Sequence, residues 1–407
     1  MRKFIVAIAV IALSFTVSKA QDQEMDYRRS SIYSILVNHN EQQFASEIKE
    51  AFLQIPTPDK FNDHNLSVKV LTMDSKLAGA AKDEENPYIS LFLMNNQVAS
   101  RLVARWFNRD CYTGECNMEL IKERGLYNAT EFDKQLALRS ARGMAMLADA
   151  GEELIGNTFV LVNDIRYVDK NKGAKTASSI LKGLGSIAAA FTGTNIDDLT
   201  DNIGDMVETI KGFSVKINTF LYQLDWNTET ANLFYQEQYG SQADEQKRNA
   251  FESARGNYEL KYVGKVESSG GTTSFLGINE QHPIIMVRKA CQRAIDENIV
   301  DLQRNFEAFR TKTPLISVEP LRAYIGKKEG VSAQSKFEVL EVVEMEDGSK
   351  KYEKVGVIAP IDNLIWDNRY MAVEECAEGA NLGYTTFRTI SGKNFSKGML
   401  IREMSTK

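Results

Sequence analysis

Four cysteines and three histidines are the side chains here best suited to metal, redox or acid–base chemistry. "CYTGEC" puts four residues, with a Thr-Gly turn, between Cys111 and Cys116, a spacing that predicts a local disulfide in an oxidising compartment. Cys291 falls on the apolar face of a predicted helix and reads as a buried thiol rather than as a partner for Cys376. The cysteines do not form two C-x-x-C pairs, and His39, His64 and His282 are not spaced with them. No metal site is therefore expected, and no cofactor. G-x-S-x-G, H-E-x-x-H and phosphate-loop patterns do not occur. Asp164 and Arg166 stand two apart on a predicted strand, a spacing that suits a salt bridge on its solvent side. No catalytic residue is assigned, and these features point away from an enzyme.

Two stretches read instead as candidate contact surfaces. "ASSILKGLGSIAAAFTGTN" places Ile180, Leu184, Ile187 and Phe191 on one helical face. Its apolar run of roughly sixteen residues spans ~24 Å as a helix, short of a ~30 Å hydrocarbon core. Gly183, Gly185 and Ala188 match G-x-G-x-x-A. They sit inside the predicted helix rather than in the turn after a strand, so a dinucleotide site is rejected. The segment is either a crossover helix packed on a sheet or a surface-active helix that inserts into a partner. "IWDNR" joins Trp366 and Arg369, residues favoured at interaction hot spots; the other reading has Trp366 filling the core of its domain.

The N-terminus bears on where such contacts occur. Arg2 and Lys3 precede the apolar run Phe4 to Val17, and Ser18-Lys19-Ala20 offers a cleavage site before Gln21. This is the pattern of a secretory signal peptide over residues 1–20. Its loss takes away Arg2, Lys3 and Lys19 and no acid, moving the formal charge from −6 to −9. An acidic chain repels phosphate backbones, so nucleic acid is not an expected partner. No further segment suits a transmembrane span, although peripheral membrane contact suits the apolar helix. The expectation is an exported protein, periplasmic, outer-membrane-associated or secreted.

The elements read as an α/β (α+β) multi-domain chain: mixed sheets flanked by amphipathic helices, with a small antiparallel β domain at the C-terminus. The first domain, 21–156, starts with the strand "SSIYSILVN", the helix "EQQFASEIKEAFLQI" and the strand "LSVKVL". "PYISLFLM" reads as a further strand, followed by a helix with Val98, Leu102 and Trp106 inward. The second domain, 157–314, holds a strand from 157 to 169, an inserted helical pair at 174–211, and "FSVKINTFLYQLDWNTETANLFYQEQY" as two strands about a turn. A helix through Val287, Cys291, Ile295, Ile299 and Leu302 closes it. Residues 321–405 read as a small β-barrel-like domain, with Glu346-Asp347-Gly348 turning one hairpin.

This ordering resembles the periplasmic accessory folds of the curli-secretion lipoprotein family and of flagellar assembly protein T. The likeness rests on "SSIYSILVN…SEIKEAFLQI…LSVKVL", on "SVKINTFLYQLDWNTETANLFYQEQY" before a long helix, and on "FEVLEVV…DGSKKYEKVGVIAPIDN". The lipoprotein cysteine of the curli family is absent, so its membrane anchor does not carry over, and no functional residue is transferred. The resemblance implies an exported scaffold or adaptor whose partners are other envelope proteins. The alternatives are a secreted hydrolase with two acids about 5–9 Å apart, and a glycan or small-ligand binder with aromatics along a groove.

Overall fold

In the computed structural model, which describes residues 30–73, 85–128, 154–168, 212–273, 283–344 and 350–404, β1 (Ser31–Asn38) lies within a six-stranded mixed sheet. Seven of its eight residues are buried. Helices cover both faces at the centre of the sheet, so β1 and Thr158–Tyr167 beside it read as continuous apolar runs rather than alternating ones. On one edge β1 pairs in parallel with β2 (Asn62–Asp63) and β3 (Val70–Thr72), two pieces of a single edge strand interrupted between them. On the other edge it pairs in parallel with β4 (Thr158–Tyr167). The antiparallel strands β5 (Gly212–Leu224) and β6 (Leu260–Thr273) follow. Strands from both sides of residue 156, the expected domain boundary, thus share one sheet.

On one face lie α1 (Ala45–Leu53) and the long α7 (Pro283–Asn305). Ile48, Ala51 and Phe52 of α1 and Val287, Cys291, Ile295, Ile299 and Leu302 of α7 meet Ile32, Leu36, Phe159, Leu161, Phe213 and Ile217 of the sheet in one core. Gly270 of β6 makes that fit possible. A Cβ there would stand 2.1 Å from the Ala290 carbonyl oxygen of α7, so only glycine admits the helix backbone this close. On the other face, Trp106 Nε1 donates to Thr158 Oγ1 at 2.8 Å, and Ser90 Oγ lies 3.4 Å from the Tyr222 hydroxyl. These contacts seat α3 (Val98–Trp106) and α2 (Pro87–Asn95), completing three layers.

Two expected strands are helices. In "NPYISLFLM", Asn86 Oδ1 accepts from the Tyr88 and Ile89 amides and Pro87 occupies the first helical position, an N-cap signal that outweighs the β-prone composition. In "NTETANLFYQEQY", Asn227 Oδ1 caps the Thr230 amide and opens α5 (Thr228–Leu233), which runs into a π-turn at Phe234–Gln238. Phe234 packs there against Phe107, Trp226 and Phe251. Phe251 belongs to α6 (Glu245–Ala254). "LSVKVL" contributes only Val70 and Leu71 to a strand, because the Asn65 side chain replaces a strand neighbour by accepting from the Ser34 amide.

These elements make one compact unit, residues 31–118 and 155–309. A second unit contains α4 (Glu119–Asn128) and the chain from residue 310 onward. Its centre is a closed antiparallel barrel of six strands in the order β10-β11-β8-β7-β12-β9: β7 Thr313–Val318, β8 Leu321–Ala323, β9 Phe337–Glu344, β10 Lys350–Pro360, β11 Thr385–Gly392 and β12 Leu400–Glu403. Leu315, Leu321, Ala323, Phe337, Val339, Ile358, Phe387 and Ile401 fill it. Closure leaves no unpaired edge.

Candidate functional site

In an open α/β sheet, ligands sit beyond the carboxyl ends of the strands where neighbouring connections leave to opposite faces. Here the helix after β1 covers one face and those after β3 cover the other, so the crevice between the ends of β1 and β3 is such a point. His39, directly after β1, fills it and is 1% exposed. Its Nδ1 lies 3.0 Å from the Met73 carbonyl oxygen, just past β3, and its Nε2 lies 2.5 Å from Asp164 Oδ1 on β4. Arg166 Nε reaches Asp164 Oδ2 at 3.2 Å. A carbonyl and a carboxylate both accept hydrogen bonds. Either the ring donates from both nitrogens, or Asp164 holds the proton between them. In neither case is a ring lone pair free to serve as a general base.

Asp164 and Arg166 pair as the spacing predicts, but on the inside: Asp164 is 2% exposed. The third member, His39, is 125 positions from Asp164, and spacing gave no sign of it. The nearest signal was a histidine directly after a buried parallel strand. Nearby, the gap between β2 and β3 opens on a cavity of about 30 Å³ lined by Ser34, Asn65, Asn163 and Asp296. It has room for about one or two waters. Among the described residues, no three His, Cys, Asp or Glu side chains converge on a metal position.

The expected bridge between Cys111 and Cys116 is not formed; both are free thiols. Asp110 Oδ1 accepts from the Tyr112 and Thr113 amides and turns the loop so that Cys111 faces solvent. Cys116 is drawn inward, its amide donating to Gly240 at 2.7 Å and its Sγ lying 3.5 Å from the Gly114 carbonyl oxygen. The Thr113 and Tyr112 hydrogen bonds also hold the Asp110 carboxyl below its ordinary range. Cys291 is fully buried on the inner face of α7, and Cys376 is exposed.

In the barrel unit, Ile365 rather than Trp366 enters the core. Trp366 is partly exposed, and its backbone accepts from Lys327 and donates to Thr385 Oγ1. Arg369 folds back on Asp367 through two hydrogen bonds of 2.9 and 2.6 Å, with Lys327 Nζ at 3.4 Å. Burial raises the Asp367 carboxyl, but the Arg369 hydrogen bonds and charge, with Lys327, outweigh it and hold the group below its ordinary value. Asn368 Oδ1 accepts from the Lys328 amide, and its Nδ2 donates to Glu329. "IWDNR" is thus a strap fastening the segment 326–330. Gly326 is required beneath it, since a Cβ would lie 2.4 Å from both Asn368 Oδ1 and the Trp366 carbonyl oxygen. Ile180, Leu184, Ile187 and Phe191 lie outside the described residues.

One apolar surface emerges that the sequence reading had hidden in a strand. The helix α2 carries no charged residue; it buries Ile89 and Leu93 and leaves Tyr88, Leu91 and Met94 at 44%, 48% and 66% exposure. No protein-family model matches the chain, and comparison with curated proteins finds no match.

Proposed function

We propose that this protein is an exported, non-enzymatic adaptor of the cell envelope that holds a partner protein against α2. The observation that carries this reading is the outward apolar stripe Tyr88, Leu91 and Met94 on an uncharged helix. A helix apolar on all sides normally lies within a core. Fully burying one Leu or Met stabilises by about 1.5–3 kcal/mol, so half-exposed residues in a row gain from a groove that covers them. The plugged switch point supports the same reading: His39 occupies the place where α/β enzymes put a substrate, and both its nitrogens are engaged. The signal-peptide pattern and the resemblance to periplasmic accessory folds supply the compartment.

The test is purification of the full chain from envelope extracts beside Leu91→Glu, a substitution on the solvent side of α2. The wild type is expected to retain a partner at stoichiometric level and the variant to lose it while keeping its circular dichroism. A wild type that retains no partner, or a variant that retains it equally, overturns the adaptor reading. Mature protein beginning at Gln21 is expected; Met1 retained in a cytosolic fraction overturns export.

A further inference from the structure

On the outer wall of the barrel, β8 and β11 lie side by side, with Ala323 paired to Thr385 and Arg322 to Thr386. Leu321, Ala323 and Ile325 are buried, so Arg322 and Tyr324 point outward between them. One residue beyond the Ala323–Thr385 pair stand Tyr324, 62% exposed and just past β8, and Tyr384, just before β11. The Arg322 guanidinium lies over the Tyr384 ring at 4.4 Å. Its Nε is buried and makes no hydrogen bond, and among the described residues Arg322 forms no ion pair. Further along β11, Arg388 and Ile390 are exposed, and neither β8 nor β11 contains an acidic residue.

We infer that this wall is a docking site for an acidic peptide segment, with Arg322 taking a carboxylate. A guanidinium without a counter-ion is anomalous in an acidic chain, and stacking on Tyr384 presents its planar fork already oriented. Forked pairing to a carboxylate is the strongest interaction open to it. Tyr, Arg and an exposed aliphatic side chain form the composition of a protein interface core, and Ile390 is of little use to a sugar ring. The inference deepens the adaptor reading by giving the chemistry of one partner, yet it uses none of the residues of α2.

The probe is a fluorescent heptapeptide, Glu-Leu-Glu-Gly-Glu-Leu-Glu, titrated with the full-length protein at low salt. Its Gln-for-Glu counterpart and an oligogalacturonate serve as comparisons. The wild type is expected to bind the Glu peptide alone. Arg322→Gln is expected to weaken it about tenfold or more. Arg322→Lys, which keeps the charge and loses the fork, is expected to weaken it about fivefold. Tyr384→Leu, which removes the clamp, is expected to fall between wild type and Arg322→Gln. Absence of binding by the wild type at about 1 mM peptide, undiminished binding by Arg322→Gln, or preference for the oligogalacturonate would each overturn the proposal. Leu91→Glu is expected to bind the peptide as wild type does, so a failure at α2 and a failure at the barrel are told apart.

Discussion

His39 Nε2 and Asp164 Oδ1 stand 2.5 Å apart across the carboxyl ends of β1 and β4, and the other ring nitrogen is held by the carbonyl just past β3. One imidazole therefore links three strands at the edge where connections leave the sheet. Both partners are withdrawn from water, so removing one leaves the other unmatched in a low-dielectric site.

Asp164→Ala is expected to destabilise the sheet unit by about 3–5 kcal/mol, the range for breaking a buried pair from one side. Replacing His39 and Asp164 together by leucine is expected to cost less than Asp164→Ala alone, because the buried imidazole is then not left facing an empty carboxylate site. Urea unfolding of the three chains measures this. A loss below about 1 kcal/mol for Asp164→Ala would remove the pair from its structural role.

Asp367 gives the barrel unit an acid-sensitive fastening. Its folded-state carboxyl titrates below the ordinary 3.8. The stabilisation is therefore complete above that value and disappears as pH falls through the lower, folded-state value. Asp367→Asn is expected to lower stability by about 1–3 kcal/mol at pH 6, with the difference from wild type shrinking as pH falls below the ordinary carboxylate value of 3.8. Thermal unfolding followed from pH 6 to 2.5 reads both trends. A gap that stays constant with pH would show that Asp367 acts through shape rather than charge.

The core was legible in the sequence wherever periodicity and burial coincide. Val98, Leu102 and Trp106 on α3, and Val287, Cys291, Ile295, Ile299 and Leu302 on α7, all face inward as their spacing predicts. The reading failed where a local cap opposed composition. "PYISLFLM" is a short apolar run of strand length, and only the Asn86 cap with Pro87 at the first helical position marks a helix, so the apolar surface of α2 went unseen. The His39–Asp164 tie was hidden for a different reason: it joins residues far apart in the chain, and only strand order brings them together. Arg322 and Tyr384 share that obstacle, since the β8–β11 pairing brings together strands about sixty residues apart.

The four thiols divide by environment, and that division tests the loop at 110–116. Cys111 and Cys376 are exposed, whereas Cys116 is 1% exposed and Cys291 is fully buried. Only the thiolate attacks an alkylating or disulfide reagent. Burial raises the Cys116 thiol above its usual value and pushes Cys291 up to about 12, so access and chemistry act in the same direction. At pH 8, iodoacetamide is expected to label Cys111 and Cys376 in the folded protein and to reach Cys116 and Cys291 only after denaturation. Peptide mass spectrometry assigns each site. A Cys111–Cys116 disulfide would instead leave both unlabelled even in denaturant until a reductant is added. That outcome would overturn the assignment of Cys111 as an exposed and Cys116 as a buried free thiol.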